Sequence, residues 1–203
     1  MTSPDEPPAD PLGLLCRWLS DAAAPAPPGG DDLSTAVLAT VNEDGQPTTR
    51  VIEVRACDDR GLVFLANLRS RKGRDLRAHP VAAATLYWPA PMRQVNLSGH
   101  VVFTGDGESD QLWATRSLAG QAVASVCDQG APLQDEDELR ARAQDLAEQA
   151  AAQGRPLPRP AGHGGFVLVP AAIEFWQGDP GRIHRRWHYQ RDGAGWSHWL
   201  LQP

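Results

Sequence analysis

The chain has 203 residues, 41% of them hydrophobic, which supports the core of one domain and of two only with strain. Its formal net charge of -6 excludes the basic surplus of a nucleic-acid binder, so local basic clusters stand out as sites for a specific anion. Nineteen glycines and 18 prolines point to many turns and short strands rather than to a helical bundle.

The segment Met1 to Pro11 lacks the basic start and apolar core of a signal peptide, and its Pro, Asp and Glu content reads as a disordered tail over residues 1–10. A single domain is expected over 11–203. No apolar run approaches the ~20 residues that a bilayer span needs. Leu12, Leu15, Cys16 and Leu19 recur at helical spacing and predict a helix from Asp10 to Ala24, with Pro25 to Asp32 as a linker. Strands are expected at Ala36 to Val41, Thr48 to Ala56 and Leu62 to Ala66, joined by the turns Asn42 to Gly45 and Asp58 to Gly61. Ser70 to His79 reads as a helix capped by Ser70 and stopped by Pro80. Two strands follow, Val81 to Tyr87 and Gln94 to Val102, then a helix from Glu108 to Leu118. Asp135 and Glu138 stand at capping-box spacing before a longer helix that Gly154 ends, and Pro156 to Pro160 is an extended linker. Phe166 to Val169, Ala172 to Trp176, His184 to Gln190 and Trp196 to Leu200 are the closing strands. Tight turns between successive strands mean antiparallel pairing, and the expected class is mainly β (α+β), a small barrel with peripheral helices. Cys16, Cys57 and Cys127 are odd in number and lack zinc or redox spacing, so they read as reduced thiols of a cytoplasmic protein.

The stretch Glu174-Phe175-Trp176-Gln177-Gly178, followed by Arg182-Ile183-His184-Arg185-Arg186, carries the strongest chemical signal. Tryptophan can cover a ring face and arginine forks match phosphate or carboxylate oxygens, so the stretch suits a planar anion. Its plain alternative is a Trp-anchored last strand with a solvated basic edge. A second cluster, Ser70-Arg71-Lys72-Gly73-Arg74, sits at a helix N-terminus, where free N–H groups and the dipole favour a phosphate. Arg50 and Arg55 lie at odd spacing on one strand and face opposite sides. Gln94 could read the edge of a heteroaromatic ring, or simply stand on a half-buried strand. Nucleophile-elbow, zincin, Walker and GxGxxG signatures are absent, and His79, His100, His163, His184, His188 and His198 do not cluster at metal spacing. Trp187, Trp196 and Trp199 read as core or dimer packing.

Taken in order, Arg50-Val51-Ile52-Glu53-Val54-Arg55, Leu65-Ala66-Asn67, Ser70-Arg71-Lys72, Arg93-Gln94-Val95, Gln129 and Phe175-Trp176-Gln177-Gly178 resemble the pyridoxamine 5'-phosphate oxidase family over nearly the whole chain after Asp10. The resemblance implies a split barrel that dimerises around two FMN molecules. On the family pattern Arg50, Val51, Ile52, Val54 and Arg55 border the flavin, with Leu65, Ala66 and Ser70 beside it. Arg71 and Lys72 hold the FMN phosphate, Gln94 contacts the ring, and Trp176 and Arg186 complete the site. Gln129 and Gly130 reach the cofactor from the second subunit. Arg182 and His184 match the family's substrate residues at the flavin face, and are the expected catalytic pair.

Four positions grip the vitamin's phosphate in that family, and here they are Arg55, Leu112, Arg116 and Gly120. Only the arginine is retained outright, and two hydroxyl donors are gone. Leu86-Tyr87-Trp88, Leu133-Gln134-Asp135 and Pro156-Leu157-Pro158-Arg159-Pro160 resemble the flavin oxidases of phenazine biosynthesis. The expected function is thus an FMN-dependent oxidase of a reduced nitrogen heterocycle, with O2 as acceptor and H2O2 released. A vitamin B6 phosphate oxidase is the alternative, and a flavin- or haem-binding protein without turnover is the alternative from another class.

Overall fold

A computed structural model describes residues 8–22 and 34–203. Most of the tail expected over 1–10, and the linker expected at Pro25 to Asp32, fall outside them. Eight strands run β1 Ser34–Val41, β2 Pro47–Cys57, β3 Leu62–Asn67, β4 Val81–Trp88, β5 Arg93–Phe103, β6 His163–Gln177, β7 Arg185–Asp192 and β8 Gly195–Leu201. The helices are α1 Pro11–Ala22, α2 Arg71–Ala78, α3 Asp106–Ala114, α4 Leu118–Val126 and α5 Glu136–Gln153. Every ladder is antiparallel, in the order β3-β2-β1-β4-β5-β6-β7-β8, and β6 also pairs with β3. Six strands therefore close a barrel, which removes its edges, while β7 and β8 extend the sheet outward.

Local chemistry explains the turns. Asn42 Oδ1 accepts from Asp44 N–H at 3.1 Å and Gln46 N–H at 2.8 Å, and Gly45 takes the left-handed conformation that closes the hairpin. Leu38, Phe64, Leu86, Val95, Leu168, Ile173, Phe175 and Trp187 fill the interior. Helix α1 docks on it through Leu15 and Trp18, whose ring meets Phe175 edge-on at 5.2 Å. Of the three tail tryptophans, Trp187 is core, Trp196 packs partly against it, and Trp199 is exposed.

Three expectations are corrected. The strands expected at Phe166 to Val169 and Ala172 to Trp176 are one, β6, with Ala171 left over opposite the Ser98/Gly99 step. Phe166 and Leu168 face the core before this bulge, and Ile173 and Phe175 after it, so the inward parity switches from even to odd. Pro170 is tolerated because it sits there, and any Cβ on Gly99 would lie 2.0 Å from the Val169 carbonyl oxygen. The helix expected from Glu108 to Leu118 ends at Ala114, because the Ser117 hydroxyl caps a new helix by accepting from Gly120 N–H at 3.2 Å. Cys16 and Cys57 are disulfide-bonded, Cα to Cα 5.3 Å, leaving Cys127 as the free thiol among the described residues. Docking of α1 on the end of β2 joins them, and no spacing rule registers that. The inference from reduced thiols to a cytoplasmic location loses its basis. Among the described residues no helix is long and apolar enough to cross a membrane.

Candidate functional site

The end of β3, the first turn of α2, the start of β6, helix α4 and Gln129 enclose a cavity of about 510 Å3, a volume that suits a small-molecule ligand. Leu65, Ala66, Lys72, Arg116, Gly120, Gln129 and His163 are on its wall. Lys72 is buried, and burial followed by the charge of Arg50 pulls its ammonium below the ordinary value. Among the described residues its one polar partner is Gln129 Oε1, which accepts from Nζ at 3.4 Å. A desolvated ammonium with no carboxylate beside it fits an anionic ligand, and a cofactor phosphate would satisfy it. Gln129 therefore meets Lys72 of its own chain, where the sequence pointed to a reach from the second subunit. Gly130 follows it with φ 97°.

The rest of the α2 cluster divides. Ser70 is the N-cap: its hydroxyl donates to Asn67 O at 2.6 Å and accepts from Gly73 N–H at 3.4 Å, so it shapes the helix start and is spent there. Arg71 is exposed and lines a separate cleft with Asn42, Glu43, Asp44, Arg74 and Asp75, although its charge is felt at Arg50. Arg50 is tied inward. It donates to Leu38 O at 3.2 Å, Thr40 Oγ1 at 2.7 Å and Thr48 Oγ1 at 2.7 Å, with Asp75 at 3.7 Å. Asp75 in turn accepts from Thr40 at 2.6 Å, so this knot pins α2 to β1 and β2. Ile52 and Val54 are core residues, while Val51 points outward and is 65% exposed.

A second constellation lies elsewhere. Gln94, Trp176 and Arg186 are register neighbours across β5, β6 and β7. Arg186 is held in a fork by Glu174, Nε to Oε1 and Nη2 to Oε2 both at 2.9 Å, and that pairing raises its pKa. The Trp176 and His184 rings are 4.8 Å apart. Between them the chain turns through Asp179 to Arg182, with Arg182 at φ 67°. Asp179 N–H donates to His184 Nδ1 at 3.1 Å, so in the neutral ring the hydrogen is on Nε2 and the free edge is a donor.

The two sets stand at opposite ends of β6, His163 opening the 15-residue strand and Trp176 almost closing it, roughly 40 Å of chain at about 3.3 Å per residue. One subunit does not bring them together.

At the expected grip, Arg55 and Arg116 are both near Glu53, at 2.8 and 3.9 Å. Leu112 lies against Gly165 on the barrel wall, and Gly120 offers only backbone, its carbonyl accepting from Arg116 Nη2 at 3.4 Å. Sequence reasoning passed over Glu53 and His163. His163 is 8% exposed, its ring lies tilted against that of Trp113 with centroids 5.3 Å apart, and it has no hydrogen-bond partner at Nδ1. Its pKa is pushed down to about 4 by burial, then by Arg116, Lys72, Arg69 and Arg159. Its position before Gly164-Gly165 at the mouth of β3 and β6 was the available signal.

Residues 31–150 match the family described as pyridoxamine 5'-phosphate oxidase, and residues 163–203 match the pyridoxine 5'-phosphate oxidase C-terminal dimerisation region. A pyridoxine/pyridoxamine 5'-phosphate oxidase of Burkholderia ambifaria is 41% identical over 95% of this chain and 87% of its own length. Its counterpart in Gluconobacter oxydans is 38% identical over 96% and 95%. The crystal structure of PhzG from Burkholderia lata, in complex with tetrahydrophenazine-1-carboxylic acid, is similar at 39% identity and a TM-score of 0.86, covering 98% of this chain and 95% of that one. A family-related FMN-binding protein of Nostoc punctiforme, 21% identical with a TM-score of 0.67 over 84% of this chain and 87% of that one, shares the fold. The chain belongs to the pyridoxamine 5'-phosphate oxidase family.

Proposed function

We propose that the protein is an FMN-dependent oxidase that dehydrogenates a reduced nitrogen heterocycle of the dihydrophenazine type. O2 is the acceptor and H2O2 is released. The observation that carries this reading is the grip around Arg116, where Leu112 and Gly120 supply no hydroxyl, Ser117 turns its own to the α4 cap, and Ala119, Val123 and Ala124 make the α4 side of the wall apolar. Two missing donors to a charged acceptor weaken a phosphate by roughly 1–3 kcal/mol each. The likeness to PhzG, solved with a tetrahydrophenazine carboxylic acid, supports the same substrate class. Vitamin B6 phosphate oxidation is the second reading, favoured by the names of relatives about equally similar.

The working unit in this reading is a homodimer. Lys72 holds the FMN phosphate in one subunit, with the charge of Arg50 felt beside it. Gln94, Trp176 and Arg186 of the other subunit close over the ring, which reconciles two constellations that a single chain keeps apart. When bound, FMN supplies the redox chemistry by accepting a hydride and passing the electrons to O2. Arg182 orients the acidic substituent of the substrate, and the Nε2–H of His184 donates to a ring nitrogen. The N–H proton lost along with the hydride passes to solvent, so neither side chain has to act as its base.

Oxygen uptake and peroxide release by the purified yellow protein test this, with a dihydrophenazine carboxylate against pyridoxine 5'-phosphate. The higher kcat/KM is expected with the phenazine. The reverse order overturns the substrate, and a yellow protein that turns over neither is a binding protein.

A further inference from the structure

One carboxylate stands among the cations of the substrate end. Glu53 lies on β2 with its side chain 47% exposed. Its Oε2 accepts from Arg55 Nη2 at 2.8 Å and lies 3.9 Å from Arg116 Nη1. Arg55 is nearly sealed, its side chain 2% exposed, whereas Arg116 is on the cavity wall. His163, also on this wall, stays neutral near pH 7 because its pKa is about 4. An anion docking at Arg116 thus meets one guanidinium on the wall, with the Glu53 carboxylate 3.9 Å behind it and the sealed Arg55 beyond. Coulomb energy scales with the product of charges, so Glu53 opposes a dianion twice as strongly as a monoanion at the same place. Lys72, on the same wall, is matched in this reading by the FMN phosphate and so does not offset it.

We infer that Glu53 is a specificity residue, setting the Arg116 end of the pocket to take a singly charged carboxylate and to resist a phosphate dianion. The inference rests on the reading of Arg116 as the anchor for the substrate's anion, and it adds the charge of that anion. It also explains why two arginines at this place do not make a phosphate site: a carboxylate already shares both.

The test uses FMN-loaded wild type and Glu53→Gln, whose amide keeps an oxygen for Arg55. Dissociation constants for pyridoxal 5'-phosphate and for oxidised phenazine-1-carboxylate are read from perturbation of the flavin absorbance, without turnover. Pyridoxal 5'-phosphate should tighten about tenfold in the variant, a shift of about 1.4 kcal/mol. The carboxylate, with half the charge, should tighten only about threefold. Glu53→Ala should move the ratio the same way, and retained FMN content checks that each variant is folded. Equal changes for both ligands, or weaker phosphate binding, overturn the role of Glu53. If the wild type prefers the phosphate while the ratio still shifts as stated, Glu53 keeps its role and the substrate proposed above falls.

Discussion

At the scale of single residues, the site is legible where charge and ring chemistry are local and illegible where a side chain is spent on the fold. Lys72, Trp176 and His184 could be picked out because a cation or an aromatic among unlike neighbours stands out in a sequence. Ser70 and Arg50 look the same there, yet they serve a helix cap and the Asp75 knot. Lys72→Ala should weaken FMN by about 1.5–3 kcal/mol, the worth of a bond to a charged group, as read by fluorescence titration. Arg182→Ala and His184→Ala should stay yellow and lose about tenfold or more in kcat/KM. Wild-type kinetics in both would return that basic run to a solvated edge. His163 makes a pH prediction. Its folded pKa is lowered to about 4, so the unfolded chain takes up a proton first as pH falls through about 6.5. Stability is complete above that value and is lost towards pH 4, by up to about 3 kcal/mol. Urea midpoints between about pH 7 and pH 5 should fall less steeply in His163→Phe than in wild type.

Elements announced by turns were readable from the sequence. The Asn42 to Gly45 and Asp58 to Gly61 hairpins, the Ser70 cap and the Asp135 cap all lie where local hydrogen bonding puts them. What failed was inference across a proline or a hydroxyl whose meaning depends on the partner strand or on the next helix. Pro170 reads as a strand breaker until the bulge opposite Gly99 is known, and Ser117 starts a helix where the composition continues one. The Cys16–Cys57 bridge, 41 residues apart in sequence, belongs to the same class. It staples α1 to the end of β2, two positions beyond Arg55. A loop of that length predicts a loss of about 4 kcal/mol on Cys16→Ser in the chain-entropy estimate. Urea unfolding of wild type with and without reductant should reproduce most of that difference, and coincident curves would show the bridge idle.

For the whole molecule, the two half-sites make a sharp test. Mixed Lys72→Ala and Trp176→Ala subunits should regain roughly a quarter of wild-type FMN sites, because half the dimers are mixed and each has one intact site. No recovery would place both constellations on one cofactor within a subunit. Bound FMN should also raise the Tm and strengthen the dimer, by mass action on the assembled form.

The bulge in β6 has a consequence of its own. Ala171 acts as a phase marker between two frames: ahead of it Phe166 and Leu168 look inward, and beyond it Ile173 and Phe175 do. Were Ala171 to pair with Ser98 instead of bulging, every later residue would slip by one and turn over, burying Trp176 where Phe175 belongs and presenting Phe175 to the ligand. Deleting the alanine would keep both faces and remove only the local bend. The bulge, made by one residue of no chemical character, keeps the ring-covering end of the strand in step with the end that lines the pocket.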